Sequence, residues 1–218
     1  MKIAFAGGIP PFDFQNIYDE KTNDAELVLF GLDVKKRVSY EQELKGETHY
    51  FENLALLSKK TNAVAICGYI TDNHGHLRKS AVVAEKGKLL GISDTVHSMD
   101  SEVSVGASLR VYDTTKGRLG VVVAEDLYFP EVIQHLVSCG SEWIICLLSR
   151  MEHIHTAILR AYAYCYGVPL VMCAQNYGMI ADPSGSIAFG SPSKPAIFAY
   201  TYHSEYRLIQ TRKRGMQK

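Results

Sequence analysis

The sequence predicts an α/β fold, in which a mixed sheet is covered by helices on its outside. Apolar runs of strand length alternate along the chain with segments of helical periodicity. Strand–helix–strand units between Gly120 and Ala174 favour parallel strands. Short turns at Lys86-Gly87 and at Thr115-Lys116-Gly117 each join two strand-like runs, which favours hairpins. Parallel units and hairpins in one chain predict a mixed sheet.

The first half of the chain is predicted to contain mostly strands. Apolar runs predict strands at residues 2–6, 26–30 and 63–70, and the first of them ends at Gly7-Gly8. Residues 48–60 predict a helix, with Thr48 as its N-cap and with Phe51, Leu54 and Ala55 on one face. The two predicted hairpins follow, with strands at 77–85 and 88–92 and at 109–113 and 119–123.

The second half of the chain has the clearest helical patterns. A helix is predicted to begin at Pro130 and to end at Gly140, with Val132, Ile133, Leu136 and Val137 at helical spacing. Residues 143–148 predict a buried strand, after which Ser149 and Glu152 fit a capping box. That second helix is expected to end at Gly167, and its predicted buried face consists of Ile154, Ala157, Ile158, Ala161 and Cys165. Strands at 170–174 and 197–201 and a short helix at 203–212 complete the prediction.

Length and composition restrict the class of protein. The 218 residues predict a single domain, 1–218, and 47% apolar against 21% charged residues excludes a disordered chain. Basic and acidic residues balance at 23 each, which argues against nucleic acid or an anionic membrane as a partner. No apolar run reaches the roughly 18 residues that span a bilayer, and five cysteines without a CxxC pair predict a reduced, cytoplasmic protein.

Two histidine pairs resemble metal-binding motifs but lack the rest of a site. His74 and His76 lie in a polar turn, and His153 and His155 lie two residues apart on a predicted helix, where they do not share a face. Neither pair has a third ligand at a usual spacing, so surface histidines are favoured. The chain has no GxGxxG or Walker sequence. We therefore expect no metal and no cofactor.

One segment carries a family resemblance. Residues 120–131 read GVVVAEDLYFPE, which closely resembles the nucleophile turn of the nitrilase superfamily of carbon–nitrogen hydrolases. Further matches follow in the family's order, at 25–30, at 78–91, at 160–176 and at the Asp-Pro-x-Gly turn of 182–185. The resemblance covers most of the chain. It implies an α-β-β-α sandwich with mixed sheets and a homodimer or larger homo-oligomer.

The family's chemistry requires three side chains that this chain lacks at the matching positions. A cysteine attacks the nitrile or amide carbon, a glutamate transfers protons, and a lysine stabilises the oxyanion. The resemblance places Ala124 at the cysteine position, Leu32 at the glutamate position and Thr95 at the lysine position. The favoured hypothesis is a pseudoenzyme that binds a small amide, nitrile or acyl compound or acts through assembly.

The alternative hypothesis is an amidase-type hydrolase whose catalytic residues have moved. The candidate pocket residues for either hypothesis lie near the family's positions: Asp33, Glu125, Asp126, Tyr128, Ser149 and Arg150. Cys146 is a further candidate nucleophile on the neighbouring strand. Asp33 follows Leu32 directly, so it would reach the site only if a one-residue bulge turned it inward.

Overall fold

The protein is a four-layer α-β-β-α sandwich, as expected. The computed structural model describes residues 1–17, 24–192 and 196–201. Two six-stranded mixed sheets face each other, and helices cover the outer face of each sheet. The predicted helix at 203–212 and the basic end of the chain lie outside the described residues. Within the described ranges, no helix is long and apolar enough to cross a membrane.

The first sheet is built around three parallel strands. Its strands are β1 (Lys2–Phe5), β2 (Leu27–Ser39), β3 (Val64–Asn73), β4 (His76–Glu85), β5 (Lys88–Asp94) and β12 (Ala196–Ala199). Their order is β12-β1-β2-β3-β4-β5, and β1, β2 and β3 are parallel. The helices of this half are α1 (Pro11–Ile17), α2 (Tyr40–Leu44) and α3 (Tyr50–Thr61).

The second sheet has the same arrangement of strand directions as the first. Its strands are β6 (Val111–Thr114), β7 (Gly117–Val123), β8 (Trp143–Leu147), β9 (Leu170–Cys173), β10 (Gly178–Ala181) and β11 (Ile187–Ser191). Their order is β11-β10-β9-β8-β7-β6, with β7, β8 and β9 parallel. The outer strand β6 joins β7 in a hairpin, whereas β12 of the first sheet comes from a distant part of the chain. The helices α4 (Pro130–Ser138) and α5 (His153–Tyr166) connect these parallel strands. Each half is therefore a parallel β-α-β-α-β unit flanked by antiparallel strands.

Alternation along the strands separates the inter-sheet core from the two helix-covered faces. Leu27 and Leu29 of β2 lie between the sheets together with Val121 and Val123 of β7. Val28, in contrast, packs toward the helices. Burial of these apolar side chains, at roughly 1.5–3 kcal/mol each, is the main force that holds the layers together.

Strand β2 departs from regular pairing with β3 at two points. Phe30 pairs with Cys67 and Leu32 pairs with Gly68, so Gly31 is an extra residue that forms a bulge. A side chain at Gly31 would lie 2.6 Å from the carbonyl carbon of Ala174, so only glycine fits there. Residues 34–36 form a second insertion before pairing resumes. The first bulge decides which residues of β2 point between the sheets.

Two predicted helix starts were wrong. The N-cap of α3 is His49, and the Glu43 carboxylate of α2 accepts the backbone N–H groups of Tyr50 and Phe51 at 3.0 Å. Glu43 thus performs the role that was predicted for Thr48. Helix α5 begins with Glu152 as its N-cap, because the Glu152 and His155 side chains form the capping box predicted for Ser149 and Glu152.

The predicted inward face of α5 was also wrong. His155, Leu159 and Ala163 are the buried residues of this helix. Ile154, Ala157, Ala161 and Cys165 are exposed, and Ile158 is half-buried. The buried residues and the predicted residues both repeat at helical spacing, so the more apolar set was chosen as the buried face although most of it points to solvent. The helices α1 and α2 and the strands β10 and β11 were absent from the sequence-based prediction.

Candidate functional site

The segments that carry Leu32, Thr95 and Ala124 meet at one end of the inter-sheet core. The backbone N–H of Leu32 donates to the carbonyl of Leu148 at 3.0 Å, which joins β2 to the end of β8. Val123, beside Ala124, pairs with Leu147 of the same strand. Thr95 donates its backbone N–H to the carbonyl of Lys79 at 2.9 Å, and the Lys79 side chain contacts Glu125, which follows Ala124. The structure therefore brings together the three regions that the resemblance selected.

Leu32 fills the space at its position. The Gly31 bulge turns Leu32 between the sheets, where it is 1% exposed and packs within the inter-sheet core. Gly68 is the partner of Leu32 on the neighbouring strand β3, and a Cβ atom there would lie 3.1 Å from the Leu32 side chain. This position of β3 therefore requires glycine. The same bulge turns Asp33 toward the helices, where it lines a cavity with Pro11 and Tyr50. The predicted bulge is present, but it turns Leu32 inward and Asp33 outward, so Asp33 does not reach the site.

Ala124 keeps an unusual backbone conformation. Its φ is +50°, in the left-handed region that non-glycine residues rarely adopt. It ends β7 and begins a short 3₁₀ turn, Ala124–Tyr128, which leads through Phe129 to Pro130 at the start of α4. Such a conformation costs on the order of 1–3 kcal/mol and depends on surrounding packing. The sharp strand-to-helix turn is retained around a side chain that is only a methyl group.

Asp126 holds the loop after β5 against this turn. Its carboxylate accepts the backbone N–H groups of Val96 and His97, both at 2.9 Å, and the His97 ring lies 3.0 Å away. The His97 ring also stacks on Phe129, with 3.7 Å between the ring centroids. Burial raises the pKa of Asp126, while these hydrogen bonds act in the opposite direction. All of these contacts fix the loop, so Asp126 has a structural role.

Glu125 forms an ion pair that the sequence reasoning missed. Its carboxylate contacts the ammonium group of Lys79 on β4, and the two side chains are only 17% and 11% exposed. The second carboxylate oxygen, Oε2, is buried without a hydrogen-bond partner among the described residues. Lys79 is in phase with the core residues Ala81 and Val83 on its strand. A lysine on the strand face that otherwise carries core residues needs an acidic partner, and this was the signal in the sequence that could have revealed the ion pair.

Tyr128 is linked to His155 rather than to the carboxylates. Nδ1 of His155 accepts the backbone N–H of Glu152 at 3.0 Å, so in the neutral ring Nε2 carries the proton and donates to Tyr128, at 2.8 Å. Burial lowers the pKa of His155 and raises that of Tyr128. His155 is 4% exposed, so the prediction of surface histidines was wrong for His155, whereas His74, His76 and His153 are exposed.

The remaining candidates lie apart from this cluster. Ser149 is half-buried, and its carbonyl accepts the Gln175 N–H at 3.3 Å. Arg150 is exposed and lines a surface depression near the start of α5. Cys146 packs on the helix-covered face of the second sheet, and burial raises the pKa of its thiol. A relocated thiol nucleophile at Cys146 would therefore face away from Ala124.

The Thr95 hydroxyl and the five thiols do not supply a nucleophile at Ala124, although the charged pair Lys79–Glu125 lies next to it. Thr95 is fully buried, and its hydroxyl donates to the carbonyl of His97 at 2.8 Å. The five cysteines are free; Cys67, Cys146 and Cys173 are buried, whereas Cys139 and Cys165 are exposed. Within residues 1–17, 24–192 and 196–201, no three His, Cys, Asp or Glu side chains are grouped to hold a metal ion.

Comparison with known proteins supports the resemblance. The family profile described as "Carbon-nitrogen hydrolase" matches residues 25–200. A protein of Schizosaccharomyces pombe named "Probable nitrilase" is 25% identical over 198 residues, which cover 81% of this chain and 72% of that protein.

Solved structures of the nitrilase superfamily share the fold. Saccharomyces cerevisiae Nit3 superposes with a TM-score of 0.73 at 18% identity, covering 90% of this chain and 88% of that chain. An alanine-for-cysteine mutant of the amidase from Nesterenkonia sp. AN1, in complex with butyramide, superposes with a TM-score of 0.71 at 15% identity, with 90% and 88% coverage.

Proposed function

Because this chain belongs to the carbon–nitrogen hydrolase family, we propose that it is a member that has lost hydrolysis and acts through small-ligand binding and self-assembly. The observation that carries this proposal is the burial of Leu32 in the inter-sheet core, against which the methyl group of Ala124 also packs. The family's mechanism needs a thiolate, a proton-transferring carboxylate and a cation at these places. Here the carboxylate position is filled by packed hydrocarbon.

Small amides are the ligand class that we propose for this chain. The support is the alanine-for-cysteine amidase mutant in complex with butyramide. That protein shows that a fold of this kind with alanine in place of a cysteine still holds an amide. Nitriles and acyl compounds share the electrophilic carbon that the family's site accommodates, so they belong to the same test.

We place self-assembly on the exposed apolar face of α5. Ile154 is 52% exposed, and it shares this face with Ala157, Ala161 and Cys165. A contiguous apolar stripe on a helix is more typical of an interface than of a monomer's surface. We propose that a second copy of the chain covers it. The free cysteines suit a reducing compartment, and we assign the protein to the cytoplasm.

The assembly proposal is tested by sedimentation at micromolar concentration. The wild-type protein is expected to sediment as a dimer or larger species, and Ile154→Asp should shift it to the monomer. Leu56→Asp on α3 is the matched control, because Leu56 is similarly exposed at 49% but lies on a different helix. A wild-type species of 24.3 kDa would contradict self-assembly.

The loss of hydrolysis is tested by ammonia release from a panel of amides and nitriles, with the Nesterenkonia amidase as the positive control. We expect no turnover by the wild type or by Ala124→Cys alone, because catalytic groups that act as a unit do not contribute additively. The triple variant Leu32→Glu/Thr95→Lys/Ala124→Cys supplies all three groups. Turnover by the wild-type protein that persists through purification would contradict the proposal.

The buried Lys79–Glu125 pair favours one alternative function, an amidase with relocated residues. Oε2 of Glu125 is buried and has no hydrogen-bond partner within the described part of the chain, so it keeps a free acceptor that would take a proton from a water molecule admitted with a substrate. In that case the wild type would hydrolyse an amide, and Glu125→Gln would abolish the activity. Glu131→Gln is the matched control, since Glu131 is exposed in the first turn of α4.

A further inference from the structure

The cavity that Asp33 lines lies on the opposite face of the first sheet from Leu32. It has a volume of about 170 Å³ and is enclosed by β2, β3 and the starts of α1 and α3. Ile9 and Phe30 supply apolar walls, while Asp33, Lys36 and Tyr69 supply polar groups. Both irregularities of β2 create it: the Gly31 bulge turns Asp33 to this face, and the 34–36 insertion carries Lys36. The cavity is separate from the region around Ala124.

The hydroxyl group of Tyr69, a residue that lines this cavity, has no strong hydrogen-bond partner. Tyr69 is 3% exposed, and within the described part of the chain its hydroxyl has only the Cys67 thiol beside it. The neighbouring Cys67 thiol is a weak hydrogen-bonding group, and burial keeps the pKa of Tyr69 above its ordinary value. The phenol is therefore a neutral donor. A buried hydroxyl without a strong acceptor is unfavourable, and a bound acceptor would relieve this cost.

Two opposite charges line the same cavity without neutralising each other. Neither Asp33 nor Lys36 belongs to an ion pair among the described residues. The Lys36 ammonium lies 4.3 Å from the centroid of the Tyr50 ring. One oxygen of Asp33 accepts the backbone N–H of Lys35 at 3.0 Å, so its carboxylate is held in place by the backbone. A ligand that carries one charge of each sign would match this wall.

We infer that this cavity binds a small zwitterion, an α-amino acid with an aliphatic side chain. Its ammonium group would meet Asp33, and its carboxylate would accept from Lys36 and from the Tyr69 hydroxyl. The aliphatic side chain would lie against Ile9 and Phe30. An apolar cavity of about 150 Å³ admits benzene, so a cavity of this volume has room for such a molecule.

Isothermal titration calorimetry with L-alanine, L-valine and L-leucine tests the inference. Two analogues of leucine are the matched probes: isopentylamine lacks the carboxylate, and 4-methylpentanoate lacks the ammonium group. A third analogue, 4-methylpentanamide, carries no charge. At least one amino acid should bind saturably in the millimolar range or tighter. Each singly charged analogue of leucine should bind about tenfold more weakly than leucine, because one charge-assisted contact is lost.

Variants connect the binding to the residues of the cavity. Tyr69→Phe should weaken binding about tenfold, and Asp33→Asn and Lys36→Met at least as much. Lys35→Met is the control that should leave binding unchanged, because Lys35 is exposed and lies outside the cavity wall. Thermal unfolding of each variant separates loss of binding from loss of folding.

Three outcomes would overturn the inference. The first is the absence of saturable binding by any of the amino acids. The second is binding of 4-methylpentanamide or of a singly charged analogue that is as tight as that of leucine and that Tyr69→Phe or Lys36→Met weakens, which would assign it to this cavity. The third is binding that Tyr69→Phe and Lys36→Met leave unchanged. None of these outcomes bears on hydrolysis at Ala124, since the cavity and that region lie on opposite faces of the sheet.

Discussion

The substitution Leu32→Ala measures whether the space around Leu32, at the position of the family's glutamate, is filled or open. Leu32 is 1% exposed and lies in the core between the two sheets. The change removes three carbon atoms, worth roughly 2.4 kcal/mol at about 0.8 kcal/mol for each buried methylene group. The cavity that remains adds roughly 1–2 kcal/mol, because the Gly31 bulge and the sheet opposite limit relaxation. We expect the free energy of unfolding to fall by about 3–4 kcal/mol.

Urea denaturation followed by circular dichroism gives this quantity directly. For an m-value of roughly 2–3 kcal/mol per M, the unfolding midpoint should fall by about 1–2 M. Leu44→Ala is the matched control, because Leu44 is 88% exposed on α2, and its effect should stay within about 0.5 kcal/mol. A loss below about 1 kcal/mol for Leu32→Ala would mean that Leu32 borders open space. The argument for a filled site would then fail.

Three further predictions follow from buried polar groups and from chain organisation. Lys79→Met should lower the free energy of unfolding by about 2–4 kcal/mol, because it leaves Glu125 buried without a partner. The double variant Lys79→Met/Glu125→Leu should lower it by less than about 1 kcal/mol. Equal losses for the two variants in urea denaturation would contradict a paired role. Because burial lowers the pKa of His155, the unfolded chain binds a proton below about pH 6.5 that the folded state does not. Stability should therefore decrease as the pH falls below that value, and His155→Gln should flatten this part of the urea-midpoint profile; an unchanged slope would refute the assignment. Residues 1–218 should unfold as one domain, so calorimetry should show a single transition rather than two.

The order and type of most elements are predictable from the amino-acid pattern. The helix at Pro130 and the strands at 63–70, 143–148 and 170–174 were predicted from periodicity, and the structure confirms them. These segments are long or strongly patterned, and their local preference agrees with their tertiary role. The motif at 120–131 also selected the strand-to-helix turn at Ala124, where the backbone has the positive φ.

Which side chains come into contact depends on how distant segments pack, and the sequence pattern does not give this. The Gly31 bulge reverses the alternation of β2, so it buries Leu32 between the sheets and turns Asp33 toward the helices. The partner of Glu125 is Lys79, which lies 46 positions away in the sequence on another sheet. The packing of α5 buries His155 and exposes Ile154, although Ile154 is the more apolar. Periodicity describes neighbours along the chain, whereas a bulge, an ion pair and a helix rotation depend on contacts between distant segments.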